Sequence, residues 1–538
     1  MGGIFTDLTI TEIPVAAINN PGSCHRESQV DSKTWDCGDV FYGWNIRKLL
    51  IPFKITGGTK DMAFSNPIAS PLASNAYING LLWGSHWNDP MAGTRLKVYI
   101  AGQGENEIFD FGGTAVTAHT VSQEVTAFQN SIQFIENVCN IDFRMANSRA
   151  DADIIVGVVG NSDADGFLGV SIPPGEDVGP VVNRQGAVIV NRDAYYSTDY
   201  SSLHQGGYDF TTFIHEFGHA IGLKHPHDSG GSGRPNFPGV TAPFSDYGDF
   251  NLNQGLYTMM SYNDGWPAGP NGPLDPISIS GYGYEGTPMA FDIAALQFLY
   301  GSNTNFRTGN DVYTLSSTNA SGTFYSCIWD TKGIDTIRNT SAIDSTIDLR
   351  AATLLHATGG GGYLSTVDGI NGGFTIANGI IIENAIGGNG ADTITGNMAA
   401  NTLTGNAGND WINGLGGADN LIGGKGADIL TGGGGADDFI YVAVNDSIGQ
   451  PDVIKDFVHG LDNINVAAID ANGADAGNPA FAFRGNSAFT GAGGEVRFVK
   501  NVTNDFTNVF LDIDGNKNAD MTIRLTGLIS LDAGDFIL

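Results

Sequence analysis

The sequence predicts an α+β domain followed by an all-β parallel β-roll, and two stretches carry that prediction. Residues 211–226 read Thr-Thr-Phe-Ile-His-Glu-Phe-Gly-His-Ala-Ile-Gly-Leu-Lys-His-Pro, an apolar helix with polar groups at helical spacing. From Gly387 the chain repeats every nine residues through six consecutive units, GGNGADTIT, GNMAANTLT, GNAGNDWIN, GLGGADNLI, GGKGADILT and GGGGADDFI. A period of that kind builds parallel β-helices and rolls. The 538 residues suffice for two or three domains with cores of their own.

In the first domain, residues 118–139 are predicted as an amphipathic helix. Val121, Val125, Phe128, Ile132, Ile135 and Cys139 recur at spacings of four, three, four, three and four, which places them on one face. Residues 153–159 and 187–190 read as strands of the domain's sheet. The expected organisation is an N-terminal extension or pro-segment over 1–60, the α+β domain over 61–300 and the β-roll over 301–538.

On the helix, His215 and His219 are four residues apart and stand one turn above each other on one face. That lets both imidazoles reach a single zinc ion at about 2.0–2.1 Å. Gly222 can take the left-handed backbone that ends a helix, so the chain turns back and brings His225 to the same ion. Three neutral nitrogens leave a position open for water, which separates catalytic from structural zinc. Zinc lowers the pKa of such a water to about 7. Glu216 would then accept its proton during attack on a carbonyl carbon and pass it to the leaving amine.

The pattern HExxHxxGxxHP is joined by Tyr257-Thr-Met-Met-Ser-Tyr262, in which Met260 stands 35 residues after His225. Together they resemble the metzincin metalloproteases, and the chain as a whole resembles the serralysin branch. The resemblance implies that Met260 forms a hydrophobic floor under the histidines. It also makes Tyr262 the donor to the oxyanion and a further zinc ligand in the resting enzyme. Met259 is expected in the core, and His25, His119 and His204 in surface or packing roles. His227 and Asp228 follow the third ligand at once, so they read either as partners for the outer N–H of a ligating imidazole or, the expected reading, as a solvated loop.

The repeats match GGxGxDxUx, with Ile394, Leu403, Ile412, Leu421, Leu430 and Phe439 at the apolar position. Glycines permit tight loops, and the aspartates supply hard oxygen ligands for Ca²⁺, which needs six to eight oxygens. Backbone carbonyls of the loops would complete the shell. The repeats resemble those of RTX proteins, which implies ions between one loop and the next but one: Asp392 with Asp410, Asp410 with Asp428, and Asp419 with Asp437. Asn401 replaces the aspartate in the second unit, so the site it shares with Asp419 should be weaker. Without calcium the clustered carboxylates repel one another, and the repeats are expected to lose order.

The serralysin likeness extends from about residue 75 to the C-terminus. It implies a junction calcium site from the carboxylates of Asp330, Asp335 and Asp311 with backbone oxygens of Arg307, Gly309 and Lys332. Lys332 replaces the usual glycine there. The ending Asp535-Phe-Ile-Leu538 resembles an uncleaved type I secretion signal, and no cleavable N-terminal signal is read in the chain. The resemblance therefore implies a secreted, extracellular, monomeric bacterial protein exported by a type I apparatus. It would act on protein or peptide substrates, with a proteinaceous inhibitor as a further partner. For Cys24 and Cys37 both a local disulfide and a thiolate blocking the zinc are open. Cys139 and Cys327 read as core.

Composition bounds the alternatives. Twenty-five basic against 57 acidic residues give a net charge of −32, which disfavours nucleic acid. No apolar run reaches the roughly eighteen residues of a membrane span. An RTX lipase would need a GxSxG elbow between strand and helix, which is not found. The competing class is a secreted calcium-binding surface or adhesion protein carrying an inactive protease domain.

Overall fold

The computed structural model describes residues 66–88, 94–111, 114–160, 167–176, 185–231, 233–263, 280–447, 449–471 and 480–538, and the backbone of 11–14. Strand β1 is Thr11–Pro14, β2 Thr94–Ile100, β3 Ile141–Met145, β4 Ile154–Val159, β5 Phe167–Ser171 and β6 Val188–Asn191. Leu96, Val98 and Ile100 of β2 point inward between more exposed Arg95, Lys97 and Tyr99, the alternation of a sheet with one solvated face. β4 and β6 are buried throughout, as runs of valine and isoleucine at a sheet centre require. The sheet runs β1-β5-β6-β4-β2-β3. β2, β3, β4 and β6 are parallel, whereas β5 is antiparallel to β6 and to β1.

Helix α1 is Ser122–Val138, α2 is Tyr208–Ala220 and α3 is Ala290–Tyr300. The predicted helix over 118–139 thus starts four residues late, because Thr114–Ala118 is committed to a hairpin with Glu107–Phe111. The Glu124 carboxylate accepts from the Val121 N–H at 2.8 Å, closing the first turn in the manner of a capping box. Phe128 of α1 packs on Phe213 and Phe217 of α2 at ring separations of 4.7 and 6.2 Å, while Thr212 and Glu216 of α2 meet Gly169 of the sheet.

The second half winds between two sheets. The repeat strands Thr402–Ala407, Asn420–Lys425 and Asp438–Ile440 pair in parallel in one, and Thr393–Thr395, Trp411–Asn413 and Ile429–Thr431 in the other. Consecutive units alternate between sheets, so Leu403 lies beside Leu421 and Ile394 beside Ile412. Each of the six U residues has no exposed surface. The expected parallel roll is present, but it closes on an antiparallel meander, Glu495–Asn501, Phe506–Asp512 and Met521–Thr526. One apolar core is continuous from α2 into the roll. Cys139 and Cys327 are buried in it as expected, whereas Cys24 and Cys37 lie outside the described residues.

Leu421→Ala is expected to cost about 2–5 kcal/mol in denaturant unfolding of the calcium-loaded protein. Trp411, which is 57% exposed on the outer face, should cost under about 0.5 kcal/mol on replacement by alanine. Equal effects would contradict the register.

Candidate metal centre

Helix α2 brings His215 and His219 onto one face, and the chain reverses at Gly222, whose φ is +101°. A Cβ at Gly222 would stand 2.5 Å from the Ser85 carbonyl oxygen, so both the turn and the close approach require glycine. The reversal brings His225 back to the helix. The three Nε2 atoms then form a triangle with sides of 3.0, 3.0 and 3.1 Å.

Each Nδ1 faces an acceptor: His215 donates to the Met259 carbonyl at 2.8 Å, His219 to the Leu223 carbonyl at 3.0 Å, and His225 to Asp228 Oδ2 at 2.8 Å. Carbonyls and carboxylates only accept, so the ring protons sit on Nδ1. Three Nε2 lone pairs therefore converge with no proton between them. Burial pushes the protonation of His215 down to about 4 and that of His219 and His225 well below the usual range, so the rings are neutral at neutral pH. Convergent neutral lone pairs with every outer N–H fixed fit a cation with nitrogen preference.

The neighbours impose this arrangement. Glu216 is fully buried against β5, where a Cβ at Gly169 would stand 2.7 Å from its Cγ and 2.9 Å from its Oε1. A Cβ at Gly218 would come within 2.6 Å of Met260 Sδ, so the glycine inside the helix admits the Met260 side chain. Buried Asp292 of α3 accepts from the Thr258 hydroxyl at 2.6 Å and the Met259 N–H at 2.7 Å, holding the carbonyl that orients His215. Burial pushes its carboxyl up to about 7. The Tyr262 ring lies 4.5 Å from His225 and 5.8 Å from His215.

Three details differ from the sequence reading. Of the two readings of Asp228, the structure has the imidazole partner and not the solvated loop, since it accepts from His225 Nδ1. His227 stacks on His225 at 4.9 Å and 10°. Lys224, with no exposed surface, donates to the carbonyls of His225 at 3.0 Å and Asp228 at 2.7 Å. Asp292 and Lys224 were legible only as members of a helix and a motif, since their partners are far away in sequence or on the backbone.

Known proteins share this plan. A family profile described as Matrixin matches residues 110–238, and one described as Peptidase M10 serralysin C terminal matches residues 291–538. The chain is 40% identical over 345 residues to a serralysin of Proteus mirabilis, covering 62% of this chain and 64% of that protein. It is 38% identical to serralysin C of Dickeya chrysanthemi, covering 62% of this chain and 63% of that protein. The chain thus spans just under two thirds of both. With a serralysin of Photorhabdus laumondii it shares 31% over 471 residues, 85% of this chain and 88% of the relative. The chain belongs to the serralysin-type metzincins.

The oxygen-rich sites of this serralysin-type chain follow the same rule of convergence. At the domain junction, carboxylate oxygens of Asp311, Asp330 and Asp335 lie within 4.8 Å of one another. Asp335 accepts from the Asp311 N–H at 2.7 Å, and burial pushes its carboxyl up to about 6. The carbonyl oxygen of Arg307 accepts from the Thr331 N–H at 3.1 Å, and Gly333 packs directly on the Gly309 carbonyl. Lys332 donates its N–H to Asp330 at 3.4 Å. Glu383, a residue the sequence reading did not single out, accepts from the Asp335 N–H at 2.8 Å.

In the roll, Oδ1 of Asp410, Asp428, Asp419 and Asp437 accepts the backbone N–H of Asp392, Asp410, Asn401 and Asp419 respectively, at 2.8–3.0 Å. The partners are two units apart. Oδ2 of Asp410, Asp419, Asp428 and Asp437 is buried and accepts no hydrogen bond among the described residues. A Cβ at Gly405 would collide with Asp410 Oδ2 and stand 2.6 Å from the Gly423 carbonyl oxygen; Gly414 bears the same relation to Asp419 and Gly432. Asp392 departs from this pattern, because Ser345 and Gly388 satisfy both of its oxygens. Asp452 continues the ladder, accepting from the Asp428 N–H at 2.9 Å with its Oδ2 buried and unsatisfied. It escaped the repeat pattern because it lies 24 residues beyond Asp428 instead of 18.

Asp228→Ala frees the outer N–H of His225 and is expected to weaken zinc binding 10–100-fold in competition with a chromogenic chelator, with the helix content unchanged.

Proposed function

We propose that this chain is a secreted zinc-dependent endopeptidase whose C-terminal half folds around calcium. The observation that carries the reading is the convergence of three desolvated Nε2 lone pairs on the helix that also presents Glu216. His215, His219 and His225 would hold zinc, which when bound would supply Lewis acidity and acidify a water to a pKa of about 7. Glu216 takes the proton from the attacking water and delivers it to the leaving amine. Tyr262, lying against two of the imidazoles, donates its hydroxyl to the oxyanion that forms on the peptide carbonyl. Asp228 and the Met259 and Leu223 carbonyls hold each imidazole in one tautomer and orientation. Met260 fills the space beneath them.

Calcium is the cation that suits the roll. Hard carboxylate and carbonyl oxygens favour it, and the buried Oδ2 atoms with their glycine cradles supply such donors. The junction carboxylates, with the backbone of Arg307, Gly309 and Lys332, form a further calcium site. Dependence on external calcium agrees with an extracellular protein, export through a type I apparatus and proteins as substrates. Among the described residues no helix is long and apolar enough to cross a membrane.

Cleavage of casein tests the reading. Glu216→Ala is expected to lower kcat at least 10²-fold while retaining stoichiometric zinc. Calcium-dependent folding with no cleavage by either form would instead support the surface-protein alternative. The roll makes a second prediction. Burial pushes the carboxyls of Asp410 and Asp419 up to about 7, that of Asp428 to about 6 and that of Asp452 to about 8. The native roll then binds protons that the unfolded chain, with carboxyls near 4, has released. Without calcium its stability is retained below about pH 4 and lost as pH rises through 6–8. Chelated protein should therefore melt at lower temperature at pH 8 than at pH 5.5, and calcium should abolish the difference.

A further inference from the structure

We propose that Phe244 determines specificity in this site, its ring receiving a large apolar side chain of the substrate beside the cleaved bond. The inference rests on the peptidase reading. Phe244 stacks on Tyr262 at 5.2 Å and 25°, and Tyr262 stacks on His215 at 5.8 Å and 26°. The rings form a series that starts at the histidine triad and ends in solvent, where Phe244 is 51% exposed.

An exposed phenylalanine alone means little, since isolated apolar residues are common on surfaces. Here the residue is mounted rigidly. Asp246 accepts N–H bonds from Thr241 at 2.7 Å, Ala242 at 3.0 Å and Gly248 at 3.1 Å. Asn263, next to Tyr262, accepts from the Ser245 N–H at 2.8 Å and donates to the carbonyls of Asp246 and Asn253 at 3.0 and 2.9 Å. Ser245 is held at a φ of +59°, a left-handed conformation that a non-glycine residue adopts only when its surroundings impose it. The loop thus fixes one face of Phe244 against the tyrosine beside the triad and leaves the other bare. A peptide whose carbonyl reaches the triad carries its flanking side chains past this ring. The ring offers no charge or hydrogen bond, so what it selects is apolar bulk.

The test separates selection from mere support of Tyr262. In the Glu216→Gln protein, binding of blocked hexapeptides with leucine or alanine at each of the two central positions is measured by fluorescence anisotropy. Leucine at one of these positions is expected to bind about ten-fold tighter than alanine. Adding Phe244→Ala should bring that ratio within about two-fold by weakening only the leucine peptide, and Phe244→Tyr should restore it. A preference unchanged by Phe244→Ala, equal weakening of both peptides, or no preference at the outset overturns the proposal. Casein cleavage by the wild type is scored separately. A protein that cuts without the preference sinks only this inference; one that shows the preference without cutting sinks the peptidase reading and, with it, the placement of the ring beside a cleaved bond, leaving only apolar peptide binding at Phe244.

Discussion

Three imidazole lone pairs pointed at one another are unfavourable by themselves, and much of the first domain is arranged to keep them there. Helical pitch supplies two of them, while the Gly222 reversal supplies the third against the Ser85 carbonyl. Neutral rings in a dry interior cannot relieve the conflict by protonation, because burial opposes the charged form. Acceptors at every Nδ1 prevent relief by tautomer exchange. Only a cation resolves the arrangement, so packing that looks costly in the bare protein is preorganisation for the ion.

The support extends outward in layers. Met259 orients His215 because Asp292, reaching from α3, holds its N–H. Asp228 orients His225, and the buried Lys224 ties the carbonyls on both sides of that bond. Gly169 and Gly218 exist as absences: each leaves out a side chain where Glu216 or Met260 must lie. The roll also reaches this domain. Asn75 donates to the Leu354 carbonyl at 2.8 Å, and the Tyr77 hydroxyl meets His356 at 2.9 Å, so the two halves share polar contacts as well as a core.

The β-roll applies the same constraint with oxygen instead of nitrogen. Asp410, Asp419, Asp428, Asp437 and Asp452 each use one oxygen to bind the backbone of the preceding coil on their side of the roll and leave the other buried. Burial raises the carboxyl pKa, which makes protons and metal ions alternative ways to neutralise the same groups. The apolar U residues cannot hold the coils together unless that charge is settled, because every unit but the second, where Asn401 stands, buries an aspartate with its apolar residue. Hydrophobic and electrostatic order are therefore coupled at nine-residue intervals.

Periodic features were legible in the chain itself. Spacing of four on a helix placed His215 beside His219, and the nine-residue repeat set out alternate strands, interior residues and paired aspartates, because local geometry converts spacing directly into position. The late start of α1, by contrast, depended on a hairpin claiming Thr114–Ala118, a competition between elements that periodicity does not register. The role of Lys224 was invisible because it binds backbone carbonyls, which no side-chain pattern registers, and those of Asp292 and Gly169 for a reason related to the hairpin's. A hydrogen bond or a close contact between residues distant in sequence leaves no local pattern. Asp452 was hidden by an insertion that broke the period without breaking the ladder. Sequence alone determined which imidazole atoms converge; tertiary packing decided which groups hold those atoms in place, because orientation is set by partners that only the folded chain brings within reach.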